Sequence, residues 1–490
     1  MRLKAIAEYT AVSRNHGTSE PNFERLNIFT VSQYPLSKEI FMAVLLSDQK
    51  LLDSARRIAR HLAVVVDLPV SVRLWDGSTI PLGRDADDTK CLVIAGPGVI
   101  GAMLRRPTLE TLFRHYADGR LDVQGTDFLT LLEIVRQKRR QARIRLSDLR
   151  KGFPWTAALP FLVARDGDAD VKHVYQGDVS GYRQSRRDNE EFIQFHYDAS
   201  NEFYALFLDQ EMVYSCGYFT SWSNSLDQAQ RDKLDLICRK LRLEPGEKFL
   251  DIGCGWGALI CHAAQNFGVQ ATGVTLSRKQ HDYAVAKIDR LGLSDKVTVS
   301  LRDYRTLEGS YDKISSIGMY EHVGIANYPT YFRKIMALLE NDGIFLNHGI
   351  TRSAKLSGKT AGRISASRRV ILKYIFPGSE LDDIGHSIQV MEACGFEIHD
   401  VEGLRAHYGR TSRLWYERLL ANRDAAIAHV GQEHYRMWLA YLAGVTGTFE
   451  HGAMRIYQTI ATRRAAKGGP VMPNTRALAG DSASGEPIVL

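Results

Sequence analysis

Hydrophobic and polar positions divide the chain into two regions with different patterns. In the first region, apolar residues at helical spacing alternate with short period-two segments, which indicates a small α+β module. The predicted elements are a helix from Leu51 to Val64, a hairpin of Val70–Trp75 and Thr79–Leu82 across Asp76-Gly77, a strand from Cys91 to Ala95, and helices to about Gln141.

From Phe192 onward, short apolar runs alternate with amphipathic helices. The predicted strands are Lys248–Ile252, Gln270–Leu276, Lys296–Leu301, Asp312–Ile317 and Gly343–Asn347, and the predicted helices are Trp256–Phe267, Arg278–Leu291 and Pro329–Leu339. Strands and helices that alternate in this way predict an α/β fold with a doubly wound parallel sheet and right-handed crossovers. Ligands of such sheets bind beyond the carboxyl ends of the strands.

Between the two regions the pattern is interrupted, which predicts a domain boundary. The predicted organisation is an irregular arm over residues 1–40, the α+β module over 41–165, a linker over 166–190, the α/β domain over 191–465 and a polar tail over 466–490. A chain of 490 residues is long enough for at least two hydrophobic cores. No internal repeat is visible.

Composition excludes several classes of protein. Hydrophobic residues at 44% and charged residues at 24% are typical of an ordered globular chain. Six scattered cysteines without a CxxC pair predict no zinc site and a reduced, cytosolic protein. No apolar stretch approaches the ~18 residues of a membrane span, so we expect a cytoplasmic protein that meets a membrane only at its surface.

The net charge of +7 permits an anionic partner, and its distribution is uneven. We expect no nucleic-acid partner. A basic cluster lies between residues 136 and 151 and contains Arg136, Lys138, Arg139, Arg140, Arg143, Arg145, Arg150 and Lys151. Such a run is either a solvated helix face at the start of a linker or a site for anionic phospholipid headgroups.

The first predicted strand of the α/β region runs into a glycine-rich turn that opens a helix. The turn reads Leu250-Asp251-Ile252-Gly253-Cys254-Gly255-Trp256-Gly257. Glycines allow a tight turn and close approach to a ligand. The spacing is GxGxG rather than the GxGxxG of dinucleotide-binding folds, and a carboxylate at Asp251 suits an ammonium group better than a pyrophosphate. The turn therefore favours S-adenosylmethionine over NAD.

The second strand ends without an acidic residue that could hold ribose hydroxyls. Gln280, Asp303 and Tyr304, which follow the second and third strands, are candidates for the ribose and adenine. Ser277 is either a ligand-binding residue or the N-cap of the following helix.

Several motifs in order resemble the cyclopropane-fatty-acyl-phospholipid synthase family. They are LDIGCGWGAL, GVTLSRKQ, SIGMYEHVG, LKYIFPGSEL and LWYERL, with HYDASNEFYALFLDQEMVYSCGYF upstream, and together they span about Phe192 to Arg464. The resemblance implies a class I methyltransferase fold with a helical lid over a lipid tunnel. It also implies that the smaller N-terminal α+β domain serves lipid engagement and dimer contacts, so a homodimer is expected.

Members of that family transfer a methyl group from S-adenosylmethionine to the cis double bond of a phospholipid acyl chain, and then remove a proton to close a ring. The resemblance implies that a bound bicarbonate ion is the base. The residues carried over as its ligands are Cys216, Glu321, His348, Ile350 through its backbone N–H, and Tyr408. Glu321 and His348 would share protons with the ion, while the other three would donate hydrogen bonds. Taken singly, Cys216, His348 and Tyr408 are also ordinary core residues.

The same resemblance assigns further contacts. It implies cofactor contacts at Tyr214-Ser215 and across Thr275-Leu276-Ser277 to Gln280. Many relatives carry a cysteine near Val445, and this chain has none, so a mechanism with that cysteine as base does not fit. The segments Tyr374–Gly378 and Trp415-Tyr416 either line the acyl tunnel or form the core of the lid.

Four functions remain open at this stage. The leading one is a cyclopropane synthase that acts on unsaturated phospholipid and sits peripherally on the inner face of the cell membrane. The others are a fatty-acyl C-methyltransferase without ring closure, a small-amine N-methyltransferase, and a lipid-binding protein without activity.

Overall fold

The computed structural model describes residues 47–142, 148, 150–163, 169–177, 191–192, 195–196, 200–354, 365–464 and 472. The predicted arm over 1–40, most of the linker, the polar tail apart from Met472, and Arg143 and Arg145 of the basic cluster lie outside the described residues. The residues from Asp48 onward belong to one compact unit.

The N-terminal module contains a four-stranded sheet covered by helices. Its elements are α1 (Asp48–Val66), β1 (Val70–Arg73), β2 (Thr79–Pro81), β3 (Asp87–Ile94), α2 (Pro97–Arg105), α3 (Leu109–Ala117), β4 (Leu121–Gln124), α4 (Phe128–Ala142) and α5 (Trp155–Val163). The strand order is β2-β1-β3-β4, and β1 pairs with β2 antiparallel as the predicted hairpin requires. Strand β4 was not predicted, because its four residues Leu-Asp-Val-Gln are too few to show a period.

The second sheet has seven strands in the order β10-β11-β9-β8-β5-β6-β7. Its elements are α6 (Asn201–Ala205), α7 (Leu226–Leu241), β5 (Lys248–Ile252), α8 (Ala258–Phe267), β6 (Gln270–Thr275), α9 (Arg278–Arg290), β7 (Val297–Leu301), β8 (Tyr311–Ile317), α10 (Tyr328–Leu338), β9 (Leu339–Arg352), α11 (Ala366–Tyr374), α12 (Ile384–Ala393), β10 (Phe396–Gly403), α13 (Arg405–Ala421), α14 (Arg423–Glu450) and β11 (Met454–Arg463). Each of the five predicted strands and three predicted helices is present, with ends that differ by a few residues.

The five predicted strands are mutually parallel, and one edge of the sheet carries two further strands that the pattern did not predict. Strand β11 lies between β9 and β10 and pairs antiparallel with both, while the neighbouring pairs from β9 to β7 are parallel. The pattern missed β11 because Gln458, Thr459 and Thr462 are buried polar residues that interrupt its apolar run. A mostly parallel seven-stranded sheet with helices on both faces is an α/β architecture and agrees with the fold that the family resemblance implies.

Alternating residues of the central strands pack into two separate cores. Phe249 of β5 lies in a cluster with helices α7 and α8, whereas its neighbour Leu250 lies in a cluster with α10. This arrangement follows from the period of two, which directs successive side chains to opposite faces of the sheet. Helices therefore cover both faces and leave the carboxyl ends of the strands as the place for a site.

We call helices α6, α11, α13 and α14 the helical lid. Trp415 of α13 and Trp438 of α14 are buried with Phe203 and Tyr204 of α6 in an aromatic cluster. Helix α14 is broken at Gly431, where φ is +80° and the backbone is not helical. Only glycine adopts that conformation readily, which is why the break occurs there.

The N-terminal module packs directly on the lid. Arg436 of α14 is buried; its guanidinium lies 3.0 Å from the carboxylate of Asp122 and donates to the carbonyl of Leu121 at 2.7 Å. Its charge also lies 4.2 Å from the ring centroid of Tyr116. The domain boundaries that the sequence suggests stay a prediction. The contacts of Arg436 join the N-terminal module to the part of α14 that follows Gly431.

Part of the basic cluster serves internal contacts. Lys138 forms an ion pair with Asp67 at 3.0 Å, and the half-buried Arg136 lies against Gly447 of α14. Arg139, Arg140 and Lys151 are exposed. Two residues of the cluster therefore make internal contacts, and the exposed ones could meet an anionic partner.

Candidate active site

The glycine turn lies between β5 and α8, at the carboxyl end of the sheet. Gly253 and Gly257 have φ of +82° and +84°, in the left-handed region that other residues rarely adopt. A Cβ atom on Gly257 would lie 3.1 Å from Cβ of Ala284, so the turn also needs the space. The turn residues from Gly253 to Gly255 line a cavity at the end of β5.

Most of the predicted cofactor-binding residues line this first cavity. They are Tyr214, Ser215, Asp251, Gly253, Cys254, Gly255, Trp256, Thr275, Leu276, Gln280 and Tyr304. The sequence motifs come from five separate segments, and the fold brings them together at one edge of the sheet. Thr275 donates its hydroxyl hydrogen to the side-chain oxygen of Gln280 at 2.9 Å, which fixes the orientation of that amide.

Three predicted residues do not line the cavity. Ser277 accepts a hydrogen bond from the backbone N–H of Gln280, so it is the N-cap of α9. Asp303 forms an ion pair with Arg305 at 2.7 Å. Gly257 precedes α8 and packs on Ala284. Each of the three thus has a contact within the protein, and its predicted contact with a cofactor stays a prediction.

Sequence reasoning missed Lys233, which lies in the wall of the first cavity. Its ammonium donates to the hydroxyl of Ser215 at 3.0 Å, and burial lowers the pKa of Lys233 to about 8. Lys233 falls in the apolar stripe of α7 that contains Leu226, Leu234 and Ile237. A cation inside an apolar stripe was the signal available in the sequence, because such residues are rarely buried without a function or a partner.

Asp251 supplies the opposite charge in the same cavity. Its carboxylate is buried and accepts a hydrogen bond from Ser315 at 2.6 Å. Burial raises the pKa of Asp251 to about 6, and the hydrogen bond from Ser315 opposes that shift. The first cavity therefore presents a buried carboxylate and a buried ammonium to a ligand.

A second, largely apolar cavity adjoins the first. The two share Tyr214, Ser215, Ile317, Gly318 and His322 in their walls. The other residues around the second cavity are Glu321, His348, Ile350, Ile371, Phe376, Ser379, Leu381, Tyr408, Tyr441, Val445, Phe449, Met454 and Ile456. A ligand in the first cavity would therefore lie next to an apolar chamber that contains few polar groups.

Four of the five predicted catalytic residues lie in the wall of the second cavity. Glu321 follows β8, His348 and Ile350 are on β9, and Tyr408 is on α13. The segment Tyr374–Gly378 divides: Phe376 lines the cavity, whereas Tyr374 is buried away from it and donates to Glu110. Trp415 and Tyr416 belong to the aromatic core of the lid and not to the cavity wall.

Glu321 is held by one carboxylate oxygen and presents the other. Its Oε1 atom accepts a hydrogen bond from the backbone N–H of Ile350, and its buried Oε2 atom has no hydrogen-bond partner in the described part of the chain. Burial raises the pKa of Glu321 to about 7. The N–H of Ile350, expected to bind an ion, is thus engaged by Glu321 in this structure.

His348 is buried on β9 and is neutral. Its Nδ1 atom lies 3.3 Å from the side-chain nitrogen of Gln458, and its Nε2 atom has no partner among the described residues. Burial holds the pKa of His348 well below its usual range. His322, at the junction of the two cavities, is also neutral near pH 7 because burial lowers its pKa to about 4.

Cys216 is near these residues but does not line either cavity. It is fully buried and packs with Ile350 and Tyr408, and its thiol donates weakly to the carbonyl of Gly217 at 3.3 Å. Burial raises the pKa of the Cys216 thiol, so it is neutral. Its predicted contact with an ion stays a prediction.

Comparisons with known proteins agree with this geometry. The model of the mycolic acid cyclopropane synthetase family matches residues 184–459, which is more than half of the chain. A probable fatty acid methyltransferase of Pseudomonas putida is 36% identical over 412 residues, which cover 84% of this chain and 95% of the relative. The chain belongs to the mycolic acid cyclopropane synthetase family.

Other similarities support this membership. A second probable fatty acid methyltransferase, from Mycobacterium tuberculosis, is 34% identical over 413 residues, 83% of this chain and 93% of that protein. The cyclopropane synthase MmaA2 from Mycobacterium tuberculosis superposes with a TM-score of 0.53 at 33% identity, covering 56% of this chain and 98% of that one. The cyclopropane synthase CmaA1, solved with SAH and CTAB, gives the same values. The protein is therefore an S-adenosylmethionine-dependent methyltransferase of the class I fold, related to enzymes of fatty acid and mycolic acid modification.

Among the helices of the described residues, none is both long and apolar enough to cross a membrane.

Proposed function

We propose that this synthetase-family protein is a cyclopropane fatty acid synthase. It would transfer a methylene group from S-adenosylmethionine to the cis double bond of an unsaturated acyl chain in a membrane phospholipid. The observation that carries the proposal is the apolar cavity that adjoins the glycine-turn cavity. It contains a buried carboxylate, Glu321, one oxygen of which has no hydrogen-bond partner among the described residues. An alkene offers no polar group for hydrogen bonding. The cavity wall around the acyl chain must therefore be apolar as far as the carbons of the double bond.

The residues of the first cavity fit S-adenosylmethionine. The amino-acid end of this cofactor is zwitterionic, and the cavity contains both Asp251 and Lys233. The one hydrogen bond that Lys233 makes within the described part of the chain goes to a neutral hydroxyl, while the carboxylates of Asp209 and Asp251 act on its charge without a direct hydrogen bond. When bound, the cofactor supplies an electrophilic methyl group. Tyr214 and Ser215 line both cavities, so they lie where the cofactor would meet the acyl chain.

The second cavity fits a small oxyanion such as bicarbonate. Glu321 and His348 each present one buried atom without a described partner, Oε2 and Nε2, and both residues line the cavity. Such atoms are costly unless a ligand or water satisfies them. When bound, bicarbonate supplies a base that is not itself a side chain open to alkylation. Glu321, His348 and Tyr408 would hold it, and Ile350 would position Glu321.

The lipid substrate requires contact with a membrane surface, and the N-terminal module offers one candidate. Helix α5 exposes Trp155 and Leu159, one turn apart, with 52% and 47% of their surface accessible. The exposed Lys151 lies just before this helix. An exposed tryptophan beside basic residues suits the interface of an anionic bilayer. This surface and the exposed part of the basic cluster support peripheral attachment.

A second candidate function is fatty-acyl methylation without ring closure. Two relatives that match over more than four-fifths of this chain are named probable fatty acid methyltransferases. Methyl transfer is common to both reactions, and only the fate of the cation on the acyl chain differs. The apolar wall of the second cavity accommodates either outcome.

One experiment separates these candidates. The purified full-length protein is incubated with methyl-labelled S-adenosylmethionine and vesicles of a monounsaturated phosphatidylglycerol, and the released fatty acids are examined by mass spectrometry and proton NMR. A gain of one CH2 with loss of the alkene signals and new upfield ring protons supports the synthase. Label in the chain without ring protons supports methylation alone, and no label in lipid would contradict both.

A further inference from the structure

A chain of hydrogen bonds lies behind His348, on the side away from the cavity. Lys240 of α7 donates to Oε1 of Gln458 at 2.8 Å, and Nε2 of Gln458 lies 3.3 Å from Nδ1 of His348. Gln458 and His348 are direct partners in the register of β11 and β9. Lys240, Gln458 and His348 are all buried. Lys240 also pairs with Glu402 of β10.

The polarity of this chain follows from the chemistry of its members. A lysine ammonium has donors and no acceptor, so the atom of Gln458 that faces Lys240 must be the amide oxygen. The amide NH2 group then faces His348, and because it only donates, Nδ1 of His348 must accept. A flipped amide would place NH2 against the ammonium and the oxygen against Nδ1. The contact with Lys240 excludes that arrangement.

A neutral imidazole that accepts at one nitrogen carries its hydrogen on the other. We infer that Gln458, oriented by Lys240, is a positioning residue that keeps His348 in the Nε2-protonated tautomer. His348 then acts as a hydrogen-bond donor to an anion in the second cavity. Glu321 is left as the acceptor there.

This division has a consequence for the ligand. A cavity with one fixed donor at Nε2 of His348 and one carboxylate acceptor at Oε2 of Glu321 favours an oxyanion that still carries a hydroxyl. A protonated oxyanion such as bicarbonate donates to the carboxylate and accepts from the imidazole at once. The sequence suggested that both Glu321 and His348 share protons with the ion. In this arrangement only Glu321 accepts a proton from it, and His348 only donates a hydrogen bond. The inference about the ion rests on the proposed function, whereas the inference about the tautomer does not.

The test uses the full-length protein labelled with 15N-histidine, and NMR to identify the tautomer of His348. The His348→Asn variant assigns its signals by their loss. Wild type is expected to show the Nε2-protonated pattern. In Gln458→Glu the carboxylate accepts only, so His348 should change to the Nδ1-protonated tautomer, while the new charge remains paired with Lys240. Retention of the Nε2 pattern in Gln458→Glu would overturn the inference.

A second variant, Gln458→Met, tests the inference if Gln458→Glu does not fold. Gln458→Met keeps the volume but neither donates nor accepts, so His348 should populate both tautomers. A single Nε2-protonated signal in that variant would also contradict the inference. Affinity for S-adenosylmethionine, measured by calorimetry, should stay within about twofold of wild type in each variant, because Gln458 lies outside the first cavity.

Turnover distinguishes this inference from the proposed function. With unsaturated phospholipid vesicles, Gln458→Glu should need at least about tenfold more bicarbonate for half-maximal rate, since a donor to the ion is replaced by an acceptor. If wild type does not modify lipid, the proposed function fails and the NMR result still decides the tautomer. If wild type modifies lipid and Gln458→Glu matches it in tautomer and bicarbonate dependence, the inference alone fails.

Discussion

The carboxylate of Glu321 accepts a hydrogen bond from the backbone N–H of Ile350, two residues beyond His348 on the same strand. This bond ties the turn after β8 to β9. It fixes Oε1 of Glu321 and leaves Oε2 buried without a partner in the described part of the chain. The arrangement resembles a positioned acid or base whose second oxygen awaits a ligand.

Glu321→Gln should keep cofactor binding and lose turnover. The amide retains the shape of the side chain but cannot take up a proton, and general acid–base groups contribute roughly 100-fold to 10,000-fold to rate. We therefore expect a fall in kcat of at least ~100-fold. Radiometric methyl transfer to vesicles measures kcat, and calorimetry measures the affinity for S-adenosylmethionine. Full activity in this variant would remove Glu321 from the mechanism.

Activity should rise with pH as Glu321 ionises. Burial raises the pKa of Glu321 to about 7, so its carboxyl group is mostly protonated below that pH and mostly charged above it. If the charged form binds the hydroxyl of the ion, kcat/KM falls on the acid side of about pH 7. A bound anion disfavours the negative charge on Glu321 and raises its pKa further. The acid-side fall in kcat/KM therefore moves to higher pH when the ion is present.

The pH profile has an internal control. His322 also lines the second cavity, but its pKa is about 4 and its titration lies well below the pH of this fall. Measurement of kcat/KM from about pH 5 to 9 with vesicles of constant composition gives the profile. A flat profile through pH 7 would show that ionisation of Glu321 does not control the rate. An unchanged fall in the residual activity of Glu321→Gln would show that another group, such as the ion itself, titrates.

Lys233→Met should weaken binding of S-adenosylmethionine. The substitution keeps most of the side-chain volume and removes the ammonium that we expect to face the cofactor carboxylate. Loss of a charged hydrogen bond of this kind costs about 1.5–3 kcal/mol, or roughly tenfold to 100-fold in Kd. Isothermal titration measures the change. The control ligand is 5′-methylthioadenosine, which lacks the amino-acid carboxylate and should bind wild type and variant equally; an equal loss for both ligands would indicate a general distortion.

Replacement of Arg139, Arg140 and Arg143 by Glu should weaken binding to anionic vesicles and leave cofactor binding intact. Each basic residue near such a surface contributes about 1 kcal/mol, so reversal of three charges should lower the partition coefficient at least tenfold at low salt. Vesicle sedimentation measures it. Arg136 and Lys138 are unsuitable for this test, because they contact Gly447 and Asp67 within the protein. Unchanged sedimentation would exclude the cluster from membrane attachment.

The sequence predicted the parts of the fold that repeat a simple period. The strands from Lys248 to Ile317 and their crossover helices were predicted to within a few residues, because each is a continuous apolar run or an amphipathic helix. Strand β11 was not predicted, since Gln458 and Thr459 are buried polar residues whose partners lie elsewhere in the fold. The hydrogen bond of Gln458 with His348 explains why a buried amide is tolerated there.

Residue types predicted the candidate site less completely than hydrophobic periods predicted the fold. The glycine turn and Asp251 pointed to the cofactor because backbone freedom and charge are visible in a short motif. Glu321 and His348 were assigned only through family motifs, and their unpaired atoms could not be known without the packing around them. Lys233 was missed because its helix, Leu226–Leu241, was not among the predicted elements, and a single cation in the sequence does not show which way its charge points.

The contact between Arg436 and Asp122 links the N-terminal module to a helix that lines the second cavity. Helix α14 carries both Arg436 and the cavity residues Tyr441, Val445 and Phe449. MmaA2 is matched over nearly its whole length by 56% of this chain, so that enzyme forms its fold without a counterpart to much of the remaining sequence. In the present protein one wall of the second cavity belongs to a helix that is held from outside the seven-stranded sheet. Under the proposed function, substitutions at this contact, far from any reacting atom, would change which fatty acids are modified while the rate of methyl transfer is preserved.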